Sequence, residues 1–140
     1  MKNSNKAIVV TRRDYNRLMG LLSNTGKHNK GSADNLARLA GELARARQVE
    51  SEKVSPDIVT MNTVIEFTDL DNQITKELKL VYPSQADIRQ GHVSITAPIG
   101  TALLGYRKGD VIEWDVPAGK KKFLIKEIIY QPEANGQYSI

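Results

Sequence analysis

Two histidines and no cysteine set the limits on the chemistry this 140-residue chain can carry. His28 and His92 fall in different regions, and neither lies near a G-x-S-x-G or H-E-x-x-H pattern. Neither therefore has the oriented partners that nucleophilic or zinc chemistry needs, and both read as solvated side chains. The lack of cysteine excludes thiol catalysis, disulfides and iron–sulfur clusters. No pair of histidines stands at helical spacing, so no metal and no cofactor is expected. Two carboxylate pairs, Asp69/Asp71 and Glu113/Asp115, are spaced i, i+2. Strand alternation sends Ile112, Trp114 and Val116 to one face and Glu113 and Asp115 to the other, away from apolar surroundings that would raise a pKa for acid–base work. Trp114 reads as core, and the first pair as turn chemistry. The glycines of Gly105-Tyr-Arg-Lys-Gly109 lack the spacing of a phosphate loop and read as a helix end followed by a turn. Lys120-Lys-Lys122 reads as a charged turn beside a strand. The residues point away from an enzyme.

The charge distribution is more informative. Residues 1–53 hold 11 Lys or Arg against 5 Asp or Glu, a net of +6, whereas residues 54–140 hold 9 against 11, a net of −2. Such a break predicts two regions with different roles: a basic arm over 1–53 and a body over 54–140. In the arm, Tyr15, Leu18, Met19 and Leu22 fall on one helical face, and Thr11 with Asp14 forms a capping pattern that starts the helix near residue 11. Residues 24–31 carry no apolar side chain and read as a connection. Ser32 offers a second N-cap, followed by a seam of Leu36, Leu39, Leu43 and Ala46 that continues until Pro56 stops the helix. Two helices joined by about eight polar residues form a short antiparallel hairpin, a short coiled coil. Arg12, Arg13, Arg17, Arg38, Arg45 and Arg47 suit an acidic protein surface or nucleic acid better than solubility alone.

Beyond the arm, β-branched runs bounded by turn residues occupy 58–61, 63–67, 77–81, 93–96, 111–116 and 123–130, which predicts a mostly antiparallel sheet. Residues 69–72 and 117–119 have the composition of hairpin turns. Pro98 to open and Gly105 to close bracket one short helix. Residues 132–140 read as an irregular extension. The fold class is α+β. No apolar run approaches the ~18–20 residues of a membrane span, and the first residues lack the apolar stretch of a signal peptide. The chain is expected to be cytoplasmic, away from membranes and monomeric.

Tyr82-Pro-Ser-Gln-Ala-Asp-Ile-Arg-Gln-Gly91, Val93-Ser-Ile-Thr-Ala-Pro-Ile-Gly-Thr-Ala-Leu-Leu-Gly105 and Lys108-Gly-Asp-Val-Ile112 together resemble the carboxy-terminal domain of the Gre transcript-cleavage factors. Asp57-Ile-Val-Thr-Met-Asn62 and Glu127-Ile-Ile-Tyr-Gln-Pro-Glu-Ala134 are similar to the Rnk branch of that family. The resemblance covers roughly 54–134, with the motifs in order. It implies an FKBP-like antiparallel sheet wrapped on a short helix, docked on RNA polymerase at the rim of the secondary channel. The arm would enter the channel, where the acidic tip of a Gre factor helps hold a catalytic magnesium. The docking positions it implies are Ala97, Pro98 and Ile99, with Asp87 beside them. Family members commonly have serine where this chain has Ala97.

The tip departs from that pattern: it carries Lys27, His28 and Lys30, with Asp34 alone beyond them. Magnesium takes oxygen ligands, so such a tip predicts binding without cleavage. The rival expectations are a cleavage-stimulating factor, a nucleic-acid-binding module acting through the basic arm, and, by fold alone, a peptidyl-prolyl isomerase.

Overall fold

The computed structural model describes residues 7–24, 30–116 and 119–138. Strand β1 (Val9–Thr11) runs directly into helix α1 (Arg12–Asn24), and helix α2 (Lys30–Arg45) leads into strand β2 (Arg47–Val49). β1 and β2 pair in parallel, with Val9 opposite Arg47 and Thr11 opposite Val49. The pairing returns the end of α2 to the root of α1, so the helices run out and back. At the start of α1, Thr11 Oγ1 accepts from the Asp14 amide at 3.0 Å, satisfying a donor that a helix start leaves orphaned.

α2 differs from expectation at both ends. It begins at Lys30, which places Ser32 inside the first turn rather than at the cap, and it ends at Arg45, well before Pro56. The seam closes at Ala46, and beyond it the backbone finds partners outside the helix. The Arg47 amide donates to the Ile8 carbonyl at 2.8 Å, and strand pairing takes over from helix continuation.

The body is one sheet of five strands: β3 (Val64–Asp69), β4 (Ile74–Val81), β5 (His92–Ser94), β6 (Val111–Val116) and β7 (Gly119–Tyr130), in the order β5-β4-β3-β7-β6. β4 with β5 is parallel; the other pairings are antiparallel. Between β3 and β4, Asp69 and Asn72 side chains accept from the amides two residues on, each at 2.9 Å. Helix α3 (Pro98–Leu103) opens with its proline and is followed by Gly105 at φ +82°, as the sequence predicts.

Residues 58–61 do not form the expected strand. Ile58 makes a single bridge to Arg107, and the chain then turns through Asn62 at φ 68°. The Thr60 amide and hydroxyl bond Thr63 Oγ1 at 3.0 and 2.8 Å, so hydroxyls take the place of a strand partner. Nor does the carboxy-terminal segment simply trail away. Gln131 is buried and donates through Nε2 to the carbonyls of Ser55 and Ile58, both at 2.8 Å, and Glu133–Asn135 forms a single 3₁₀ turn. For Trp114 only the backbone is described, in β6, and Pro117 lies outside the described residues.

One apolar cluster runs through the arm and the body. Ile8 and Val10 from the β1 segment and Leu18, Leu39 and Leu43 from the helices join Met61, Ile65, Leu80, Leu103, Leu104 and Ile125. The two parts approach closely at Gly105, where an added Cβ would sit 2.5 Å from Ile8 Cβ in a left-handed backbone. Gly105→Ala is therefore expected to destabilise the chain by at least about 2 kcal/mol, read as a lower urea midpoint.

Candidate functional site

The segment from β5 to α3 holds Ala97, Pro98 and Ile99 at the edge of the sheet, and it is pinned by its own polar atoms as well as by the burial of Ile95 and Leu103. The Ala97 amide donates to the Ser94 carbonyl at 3.0 Å, the Thr96 amide to Ser94 Oγ at 3.0 Å, and the Thr101 amide to the Ala97 carbonyl at 2.9 Å. Thr101 Oγ1 donates to the Ile95 carbonyl at 2.7 Å from a fully buried position. Gly100 is what lets α3 lie this close, because a Cβ there would come within 2.2 Å of the Ser94 carbonyl oxygen. The result is a fixed apolar corner: Pro98 exposed at N1, Ala97 half-buried, and Ile99 half-buried with its side chain packed on the core.

Asp87 stands at the other end of β5. Its backbone and that of His92 exchange two hydrogen bonds of 2.9 Å. Its carboxylate accepts from the Arg89 amide and from Gln90 Nε2, each at 3.1 Å. The turn this fixes presents Ile88, which is 88% exposed. The three-residue strand thus brings Asp87 and the Ala97–Ile99 corner onto one sheet edge. Lys27 and His28 lie outside the described residues, and Lys30 and Asp34 are described only as backbone in α2. Among the described residues no group of three His, Asp or Glu side chains could hold a metal ion.

A second cluster, which sequence reasoning did not find, lies at the root of the arm. Asp14 is 3% exposed, and its Oδ2 accepts from the Met61 amide at 3.1 Å. Burial pushes its pKa from 3.8 up to about 6, the Met61 hydrogen bond opposes this, and the neighbouring Glu133 adds to the rise. Glu133 is itself raised by burial and accepts from Thr60 Oγ1 at 2.8 Å. The Arg17 guanidinium lies 4.3 Å from the centroid of the Tyr82 ring, a cation–π contact joining α1 to the body. The Tyr82 hydroxyl is buried without a hydrogen-bond partner among the described residues, and burial raises its pKa. The capping pattern marked Asp14 as a helix-start residue. Its burial depends on the arm's position over residue 61, which no local pattern contains.

Comparison with known proteins agrees with this architecture. The family description "Transcription elongation factor, GreA/GreB, C-term" matches residues 53–130, and "Rnk N-terminus" matches residues 6–49. A solved structure, the prokaryotic transcription elongation factor GreA/GreB from Nitrosomonas europaea, superimposes with a TM-score of 0.75 at 36% identity, covering 88% of this chain and 99% of that one. The chain belongs to the GreA/GreB family, in the branch with the Rnk amino-terminal segment. It is 36% identical to the regulator of nucleoside diphosphate kinase from Escherichia coli K12, over 96% of this chain and 98% of that protein. It is 35% identical to transcription elongation factor GreA from Trichlorobacter lovleyi over 69% of this chain, but over only 61% of that longer protein. These relatives are named as regulators or transcription factors.

The arm root makes stability depend on pH. The folded chain holds the Asp14 proton more tightly than the unfolded chain does. Its stabilising contribution is therefore complete below about pH 4 and is lost as pH rises through about 6. Asp14→Asn keeps an acceptor for the Met61 amide and removes that titration. Urea unfolding should show the variant gaining on the parent as pH rises from 4 to 7, by roughly 1–2 kcal/mol at pH 7.

Proposed function

We propose that this protein is a non-enzymatic regulator of transcription elongation in the bacterial cytoplasm. It docks on RNA polymerase at the rim of the secondary channel without stimulating transcript cleavage, and it competes there with Gre factors. The observation that carries this reading is the pinned apolar corner at Ala97, Pro98 and Ile99, with Asp87 on the same sheet edge, in a chain of this family. A corner whose backbone is already fixed loses little further entropy on binding, which suits it to docking. In this reading the body, residues 54–140, provides the docking surface, and the basic arm, residues 1–53, points toward the channel.

The absence of cleavage rests on the sequence of the tip. Residues 24–31 contain no carboxylate and include Lys27, His28 and Lys30, a combination that repels magnesium rather than ligating it. The arm is also short: the 13 residues of α1 span only about 20 Å at 1.5 Å per residue.

The test mixes the purified protein with core RNA polymerase holding a backtracked, end-labelled transcript, with and without a Gre factor. The expected result is complex formation, no RNA shortening by the protein alone, and suppression of Gre-stimulated shortening. Pro98→Glu alters an exposed helix-start position where a carboxylate is well tolerated. It should weaken polymerase binding by roughly tenfold or more at an unchanged melting temperature. Shortening above the intrinsic rate of the polymerase would establish a cleavage factor instead. Failure to bind polymerase would turn attention to nucleic acid as the partner of the arm.

A further inference from the structure

A concave site at the root of the arm has the make-up of an anion pocket. It has a volume of about 130 Å³ and is lined by Val9, Arg47, Val49, Lys53, Val54, Ser55, Ile58 and Arg107, with no carboxylate among them. Its three cations come from separate parts of the chain: Arg47 from β2, Lys53 from the 3₁₀ turn after it, and Arg107 from the loop following α3.

Arg107 is held in place on both its backbone and its side chain. Its amide donates to Asp110 Oδ2 at 2.8 Å, and its Nη1 pairs with Asp57 Oδ1 at 3.1 Å, the same oxygen that accepts from Ser55 Oγ. Arg47 and Lys53 form no ion pair among the described residues. The other nearby acids leave this balance intact: Glu50 pairs with Arg12 at 2.9 Å, and Glu52 is exposed on the turn rather than lining the pocket. With Asp57 and Asp110 both engaged by Arg107, Arg47 and Lys53 are the cations of the pocket that no carboxylate pairs among the described residues, beside a lining of valine and isoleucine. Like charges brought together by folding cost free energy unless an anion offsets them.

We propose that this pocket binds a phosphoryl group, with Arg47 and Lys53 as its main ligands and Arg107, held by Asp57 and Asp110, as a preoriented guanidinium in the same lining. A planar guanidinium suits phosphate oxygens, and lysine adds a mobile point charge. A free nucleotide and a nucleic-acid backbone both offer this oxyanion. The site is independent of the polymerase-docking corner and stands or falls separately from it.

The test measures the anisotropy of a fluorescent ATP and of a short fluorescein-labelled RNA on titration with the full chain, each with inorganic phosphate as competitor. The double variant Arg47→Gln/Lys53→Gln changes two exposed or partly exposed side chains, and circular dichroism melting checks that it folds. Lys126→Gln, an exposed cation on β7, is the control. The expected result is that one or both probes bind, that phosphate competes, and that the double variant weakens binding roughly a hundredfold, about tenfold per charge-assisted contact removed, while the control does not. Binding of ATP that displaces RNA assigns the pocket to nucleotides. RNA binding that ATP does not displace, yet that the double variant abolishes, assigns it to backbone phosphates. Absence of binding by either probe, or equal weakening in the control, would overturn the proposal.

Discussion

Helices of 13 and 16 residues are marginal in water on their own, so the order of the arm depends on what its inner face is buried against. Leu18, Leu39 and Leu43 are within about one per cent of complete burial, in a cluster shared with α3 and the sheet. The same constraint accounts for the parallel β1/β2 pair, which anchors both ends of the hairpin, and for the burial of Asp14 at its root. A carboxylate at an exposed helix start would be an ordinary cap. Under the weight of the body it becomes a group held by one amide of residue 61, with its charge poorly solvated.

The corner at Ala97–Ile99 follows a different logic. Its rigidity adds hydroxyls and a glycine to the core packing of Ile95, Leu103 and Leu104: Ser94 and Thr101 side chains satisfy the backbone around the turn, Thr96 bonds the Ser94 hydroxyl, and Gly100 allows α3 to approach β5. Apolar atoms are thereby left at the surface without loosening the chain that presents them. Such a patch is stable in the free protein and already has the shape it would need when bound.

Much of this was legible in the sequence because its signals were local. The Thr11/Asp14 cap, the Pro98 start and Gly105 end of α3, and strands β6 and β7 each follow from spacing within a few residues. The misreadings have a common cause. The end of α2 at Arg45 and the missing strand over 58–61 are both settled by partners far along the chain, Ile8 and Arg107. Hydrophobic periodicity reports which side of an element is buried, and it does not report which distant backbone group competes for its amides. Of the site, the residues of the corner were nameable from motifs, whereas the arm-root cluster exists only once residue 14 has been placed over residue 61.

The sheet order has a consequence for the protein's own company. Its two edge strands are β5, only three residues long and bridged at His92 by Asp87, and β6, where Glu113 faces Lys120 and Lys122 across the ladder at 3.9 and 4.0 Å. A strand that short offers few rungs to an incoming chain, and lysines beside the other discourage flat stacking. The apolar corner at Ala97–Ile99 is thus set in a sheet whose borders resist templating another copy, so exposed apolar atoms and resistance to self-association sit side by side in one sheet.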